Sequence, residues 1–195
     1  MTEKELIAAC KRQDRRAQQY LYDKFSPQMF GVCKRYISKR EDAEDVLIEA
    51  FFKVLTNIDQ YKGEGSFEGW IRRIVVNEAL MFLRKRNHFQ FDVEISEVDA
   101  PEHAAVTNDL AAQDILFLLD QLPPGYRTVF NLYVIEGYKH REIADMLNIS
   151  INTSKSQLIL ARRRMQRLLG DTGYRASDNE TEITNFTGLT DQEES

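Results

Sequence analysis

The chain has 195 residues, 43% of them hydrophobic and 29% charged, enough for two small domains with cores of their own. No apolar run approaches the roughly 20 residues of a membrane span and the N-terminus is too polar for a signal peptide, so a cytoplasmic protein without membrane insertion is expected. The net charge of -5 and pI of about 5.3 argue at first against nucleic acid, for which a basic domain is the usual footprint.

In chain order, helices are expected over residues 3–11, 14–25, 27–38 and 41–58, with Pro27 placed to open the third. In the fourth, Val46, Ala50, Phe51, Val54 and Ile58 recur at core-facing spacing, which leaves Asp42, Asp45, Ile48, Glu49 and Phe52 for the surface. A turn-rich stretch, Asp59 to Gly65, leads to Ser66 as the N-cap of a long helix reaching about Arg86. Its Ile74-Val75-Val76 run is β-branched, but Trp70, Ile71, Ile74, Leu80 and Leu83 keep helical spacing. Residues 1–91 hold 17 Lys or Arg against 13 Asp or Glu and form a first domain.

Residues 92–107, with Pro101 and no base, read as a flexible acidic linker; the eight acids of 92–122 meet no cation at all. A second domain over 108–170 opens with a helix to Leu122, broken by Pro123-Pro124, and a further helix to about Ile135. Residues 171–195 hold seven acids against one base and read as a disordered tail. The acidic average therefore hides two basic blocks, since 123–170 holds eight bases against three acids. The expected fold class is all-α, two small helical domains of which the second carries a helix-turn-helix.

That motif spans Lys139 to Leu169. Ile143, Ala144 and Leu147 share one face of a first helix, Asn148 suits a left-handed turn residue, and Asn152 or Thr153 can cap the second helix. Leu158, Ala161, Met165 and Leu168 make an apolar stripe, while Lys155, Arg162, Arg163, Arg164 and Arg167 meet no acid between Asn152 and Leu169. An acid-free helix after a helix-turn suits a phosphate backbone, with Thr153, Ser154, Lys155, Ser156 and Gln157 at the end that reads bases. In the first domain, cations at Arg73, Arg84 and Lys85 with the ring of Trp70 suit single-stranded DNA. The glycines of the 62–67 loop let backbone approach an unstacked base, and the Asn77 amide can read a base edge.

Other classes fit less well. A dimeric activator needs no mixed acidic and apolar surface at 42–52. An enzyme lacks its motifs: Gly63-Glu64-Gly65 is followed by Glu68 rather than a third glycine, and no Walker-type loop occurs. No cofactor or metal is expected, because His88, His103 and His140 are scattered and Cys10 and Cys33 lack ligand spacing and read as packed reduced thiols. A helical partner-binding protein without DNA leaves the acid-free helix unexplained.

Four segments in order resemble the extracytoplasmic-function (ECF) group of bacterial sigma factors, of the sigma-70 family. Asp42 to Phe51 resembles the core-polymerase-binding helix and Phe67 to Asn77 the promoter-melting segment; Leu122 to Arg127 resembles the opening of the second domain, and Glu142 to Ser156 the upstream-element reader. The resemblance implies a protein that binds core RNA polymerase and directs promoter recognition, melting and initiation, with catalysis left to the polymerase. Asp42, Asp45, Ile48, Glu49 and Phe52 would dock on the β′ clamp helices, and the second domain would meet the β flap. Lys62, Glu64, Ser66, Phe67, Trp70, Arg73, Asn77, Arg84 and Lys85 would handle the minus-10 element and melting. Arg141, Thr153, Ser154, Lys155, Ser156, Gln157, Ile159, Arg162 and Arg163 would hold the upstream element. The linker would thread the polymerase channels, the tail could shield the basic helix, and an anti-sigma factor is a further possible partner. Three positions depart from the group's pattern: Met81 stands where Asp is frequent, Ser154 where Val is, and Gln157 where Arg is. Because Gln pairs with adenine and Arg with guanine, a different upstream sequence is expected.

Overall fold

The computed structural model describes residues 1–86 and 112–171, with no strand among them. Two compact units emerge, Met1–Phe89 and Gln90–Ser195. The linker over 92–107, the tail beyond Asp171, and His88 and His103 lie outside the described residues.

The first unit consists of α1 (Glu3–Lys11), α2 (Arg15–Tyr36), α3 (Arg40–Thr56), a 3-10 turn at Ile58–Gln60, and α4 (Phe67–Lys85). Helices α2, α3 and α4 pack against one another, and α1 leans on α2 and the short turn. Asp14 caps α2, its Oδ1 accepting from the amides of Arg16 at 2.8 Å and Ala17 at 3.1 Å. The two helices expected on either side of Pro27 are one: α2 runs through the proline unbroken. An interior proline costs about 3 kcal/mol because it removes a donor and crowds the carbonyl four residues back. Here that carbonyl belongs to Asp23, an exposed residue, where water can satisfy it. Leu21, Phe25, Met29, Val32, Cys33 and Tyr36 meanwhile form one buried stripe that a break would throw out of register. Burial also pushes the Cys33 thiol up to about 12, so it packs as an inert apolar group, and Cys10 is buried too.

The second unit consists of α5 (Ala112–Asp120), α6 (Pro124–Phe130), α7 (His140–Leu147) and α8 (Ile151–Asp171), with a wide π turn at Asn131–Ile135 continuing α6. Pro124 sits at the start of α6, where its missing N–H costs nothing. Helix α8 is the spine, packed against α6 and α7. Arg127, only 7% exposed, ties the end of α5 to α6. Its Nη1 meets Asp120 Oδ1 at 2.8 Å, and its Nη2 donates to the carbonyls of Asp120 at 2.9 Å and Leu122 at 3.3 Å. Burial lowers its pKa and the Asp120 carboxylate opposes that. Arg127→Ala strips those acceptors of their donor, and a loss of about 2–3 kcal/mol is expected, seen by calorimetry of the full chain as a lowered transition.

Candidate nucleic-acid interface

The helix-turn-helix forms where the sequence places it, with one difference, at the cap of its second helix. Asn148 adopts the left-handed conformation, φ 55° and ψ 48°, and the amide of Ile149 returns to the Ala144 carbonyl at 3.0 Å. The cap of α8 is Ser150, not Asn152 or Thr153: Ser150 Oγ accepts from the Thr153 amide at 2.9 Å. Helix α8 therefore starts earlier, and Asn152 becomes an exposed helical residue.

A residue advances about 100° around a helix, and α8 divides cleanly by that rule. Leu158 and Ala161 are buried, and so are Ser154 at 0% and Gln157 at 2% exposure, one turn before them on the same face. The opposite face carries Asn152, Lys155, Ser156, Ile159, Arg163, Gln166 and Arg167, all exposed. Ser154 and Gln157 are thereby corrected: they face the core of the unit and not a duplex, so the adenine preference argued from Gln157 falls. Ser154 instead holds His140, its Oγ 2.9 Å from Nδ1, and the His140 ring stacks on Tyr133 with centroids 4.5 Å apart. Arg162 is half-buried with its guanidinium 5.9 Å from the Tyr133 ring, which leaves Lys155, Arg163 and Arg167 as the exposed cations of α8, with Arg141 exposed on α7. Thr153 is half-buried.

Gln157 explains Gly125. A β-carbon at position 125 would sit 2.7 Å from Gln157 Oε1, so α6 and α8 approach closely there and a larger residue fits only if the buried Gln157 amide moves. Gly125→Ala is expected to cost about 1–3 kcal/mol by forcing the amide aside. In a Gln157→Ala background the same change should cost almost nothing, and equal costs in both backgrounds, by denaturant unfolding, would break this account.

In the first unit the 62–66 loop is wholly exposed. Gly63 and Gly65 take φ of 79° and 75°, and Tyr61 Oη donates to the Gly65 carbonyl at 2.8 Å. Ser66 caps α4 as expected, accepting from the Gly69 amide at 3.2 Å. Phe67 corrects the sequence reading, because it is fully buried. It lies edge-on to Phe25 at 5.9 Å and stacks on Trp70 at 5.8 Å, so it anchors the loop and cannot meet a base. Trp70 is half-buried in the same cluster, while Arg73, Asn77, Met81 and Arg84 continue one exposed line along α4, with Lys85 exposed beside its end.

Helix α3 turns Val46, Ala50, Phe51 and Val54 inward and presents Asp45, Ile48, Glu49 and Phe52 to solvent. Ile48 is 58% and Phe52 64% exposed, an apolar ridge flanked by carboxylates. Asp42, expected on this surface, is drawn to the Arg86 guanidinium past the end of α4. A shallow groove between α2 and α3, lined by Tyr22, Phe30, Leu47 and Ile48 among others, runs beside the ridge. Among the described residues no helix is long and apolar enough to cross a membrane, and no group of His, Cys, Asp and Glu could hold a metal ion.

Comparison with known proteins places both surfaces in a family context. The family model described as sigma-70 region 2 matches residues 21–89, and the one described as sigma-70, region 4 matches residues 112–165. The RNA polymerase sigma-H factor of Pseudomonas aeruginosa is 25% identical over 181 residues, which cover 86% of this chain and 93% of that one. The ECF RNA polymerase sigma factor SigW of Bacillus subtilis is 28% identical over 185 residues, covering 86% and 97%. In fold the chain is similar to the sigma factor RpoE of Bartonella quintana, solved with the anti-sigma factor NepR. There the TM-score is 0.51 at 24% identity, over 78% of this chain and 96% of that one.

Proposed function

The chain belongs to the sigma-70 family of RNA polymerase initiation factors, in its extracytoplasmic-function group, and from that membership we propose a partner for each surface described above. The protein is a sigma factor that binds core RNA polymerase and directs promoter recognition, melting and initiation. The exposed stripe of α8, with Asn152, Lys155, Ser156, Ile159 and Arg163, takes the major groove of the upstream element, together with the exposed Arg141 of α7. Lys62, Glu64 and Ser66 of the exposed loop, with Arg73, Asn77, Arg84 and Lys85 along α4, take the strand opened at the minus-10 element, and Trp70 props them from within. Asp45, Ile48, Glu49 and Phe52 dock on the β′ clamp helices of the polymerase, and the second unit meets its β flap.

The observation that carries this reading is the division of α8 into a core face and an opposite face on which every charge between Asn152 and Leu169 is positive. An ordinary amphipathic surface helix mixes both signs on its wet side. The factor works in the cytoplasm and supplies binding and strand separation, while the polymerase supplies the catalysis. An anti-sigma factor is a further partner, as one is for the Bartonella relative. In vitro transcription of a randomised promoter library by core polymerase with this chain tests the function. Transcripts that share two promoter elements are expected, and library-wide silence with both proteins active would refute it.

A further inference from the structure

Within the exposed stripe of α8 one residue is out of place for a surface that only neutralises phosphate. Ile159 is 51% exposed, while Ala161, two residues on, is fully buried on the far side of the helix. The core therefore does not hold Ile159. Its neighbours on the stripe are Lys155 and Ser156 one turn before and Arg163 one turn after, all exposed. Those two cations stand about 6 Å on either side of Ile159 along the axis, a spacing of about two base-pair steps. An apolar group between two phosphate-seeking cations, on a stretch of helix with no acid from Asn152 to Leu169, is carried to the floor of a major groove when the cations engage. The floor offers one apolar feature, the C5 methyl of thymine, since every other base edge there presents donors and acceptors.

We propose that Ile159 reads a thymine in the upstream element by packing its side chain against that methyl group. The inference rests on α8 being the duplex-facing helix and deepens that reading by naming the base. Polar neighbours on the stripe, Asn152 and Ser156, can hydrogen-bond adjacent edges, but neither can recognise a methyl. A cytosine or an adenine at that position presents an amino group to the isoleucine and leaves its donor without a partner, so discrimination comes from both attraction and desolvation.

The test uses the full chain assembled with core polymerase and a promoter that this holoenzyme selects from a randomised duplex pool. Each thymine of the upstream element is replaced in turn by deoxyuridine, which removes the methyl and keeps all the hydrogen-bonding groups. At one position the wild-type holoenzyme should bind roughly fourfold more weakly, the worth of one buried methyl. Ile159→Val should keep part of that sensitivity and Ile159→Ala should lose it, with the salt dependence of binding unchanged. Alanine at an exposed helical position preserves the helix, so loss of sensitivity is not loss of fold. An upstream element indifferent to every deoxyuridine, one without thymine, or a penalty that persists in Ile159→Ala overturns the inference while leaving promoter binding standing. Failure to select any upstream element overturns the promoter reading of α8 and this inference with it.

Discussion

Replacing Lys155 and Arg163 together by glutamate is expected to lower the affinity of the holoenzyme for its promoter by on the order of a hundredfold at moderate salt. Both side chains are exposed on the solvent face of α8, which carries no acid between Asn152 and Leu169, so reversal removes two attractions and installs two repulsions against the phosphate backbone. Both are exposed and outside the core, so the variant should still fold. Binding to core polymerase through the first unit should be unchanged. The salt dependence gives an independent reading: neutral substitution at both sites should flatten the slope of log affinity against log salt by about two, one for each phosphate no longer neutralised. Filter binding or fluorescence anisotropy over a salt series measures both quantities. Unchanged promoter affinity, or a parallel loss of polymerase binding, would show that α8 does not face DNA.

Substituting Ile48 and Phe52 together by serine should weaken binding to core polymerase by about a hundredfold or more, the expected cost when two large apolar anchors leave the centre of an interface. At 58% and 64% exposure they add little to the fold of the free chain, and the variant should unfold at nearly the wild-type temperature. The flanking carboxylates behave differently. Asp45→Asn with Glu49→Gln should slow association and reduce its salt sensitivity, with a smaller change in dissociation, because rim charges steer more than they hold. Competition against wild-type chain for a limiting amount of core polymerase separates the two cases. Full competition by the serine variant would remove α3 from the interface.

The residues themselves show where the sequence was legible. The inward set of α3, the Ser66 cap, the left-handed Asn148 and the buried Ile143, Ala144 and Leu147 all follow from spacing and local backbone chemistry, which neighbours in sequence decide. Ser154 and Gln157 were misplaced although their spacing was in plain view: each lies one turn before a buried residue, Leu158 or Ala161. Polar identity suggested a surface, whereas the His140 ring and the bare backbone of Gly125 receive these two side chains inside. Phe67 is similar, since a loop boundary hides how deeply its first helical residue reaches. Pro27 by its local rule favours a helix start, and a stripe of six buried side chains outweighs it.

By itself the sequence determined the all-helical class, the alternation of basic and acidic blocks, and the acid-free run from Asn152 to Leu169. Periodicity, caps and charge are properties of residues within a turn or two of each other. The tertiary structure decided which cations stay in solvent and which are folded away. It drew Asp42 to Arg86, 44 residues distant, buried Arg127 between the carbonyls that end α5, and left Ile159 exposed in the middle of a cationic stripe. Each of these depends on which helix lies against which, a matter of packing among residues far apart in the chain, and no local pattern encodes it.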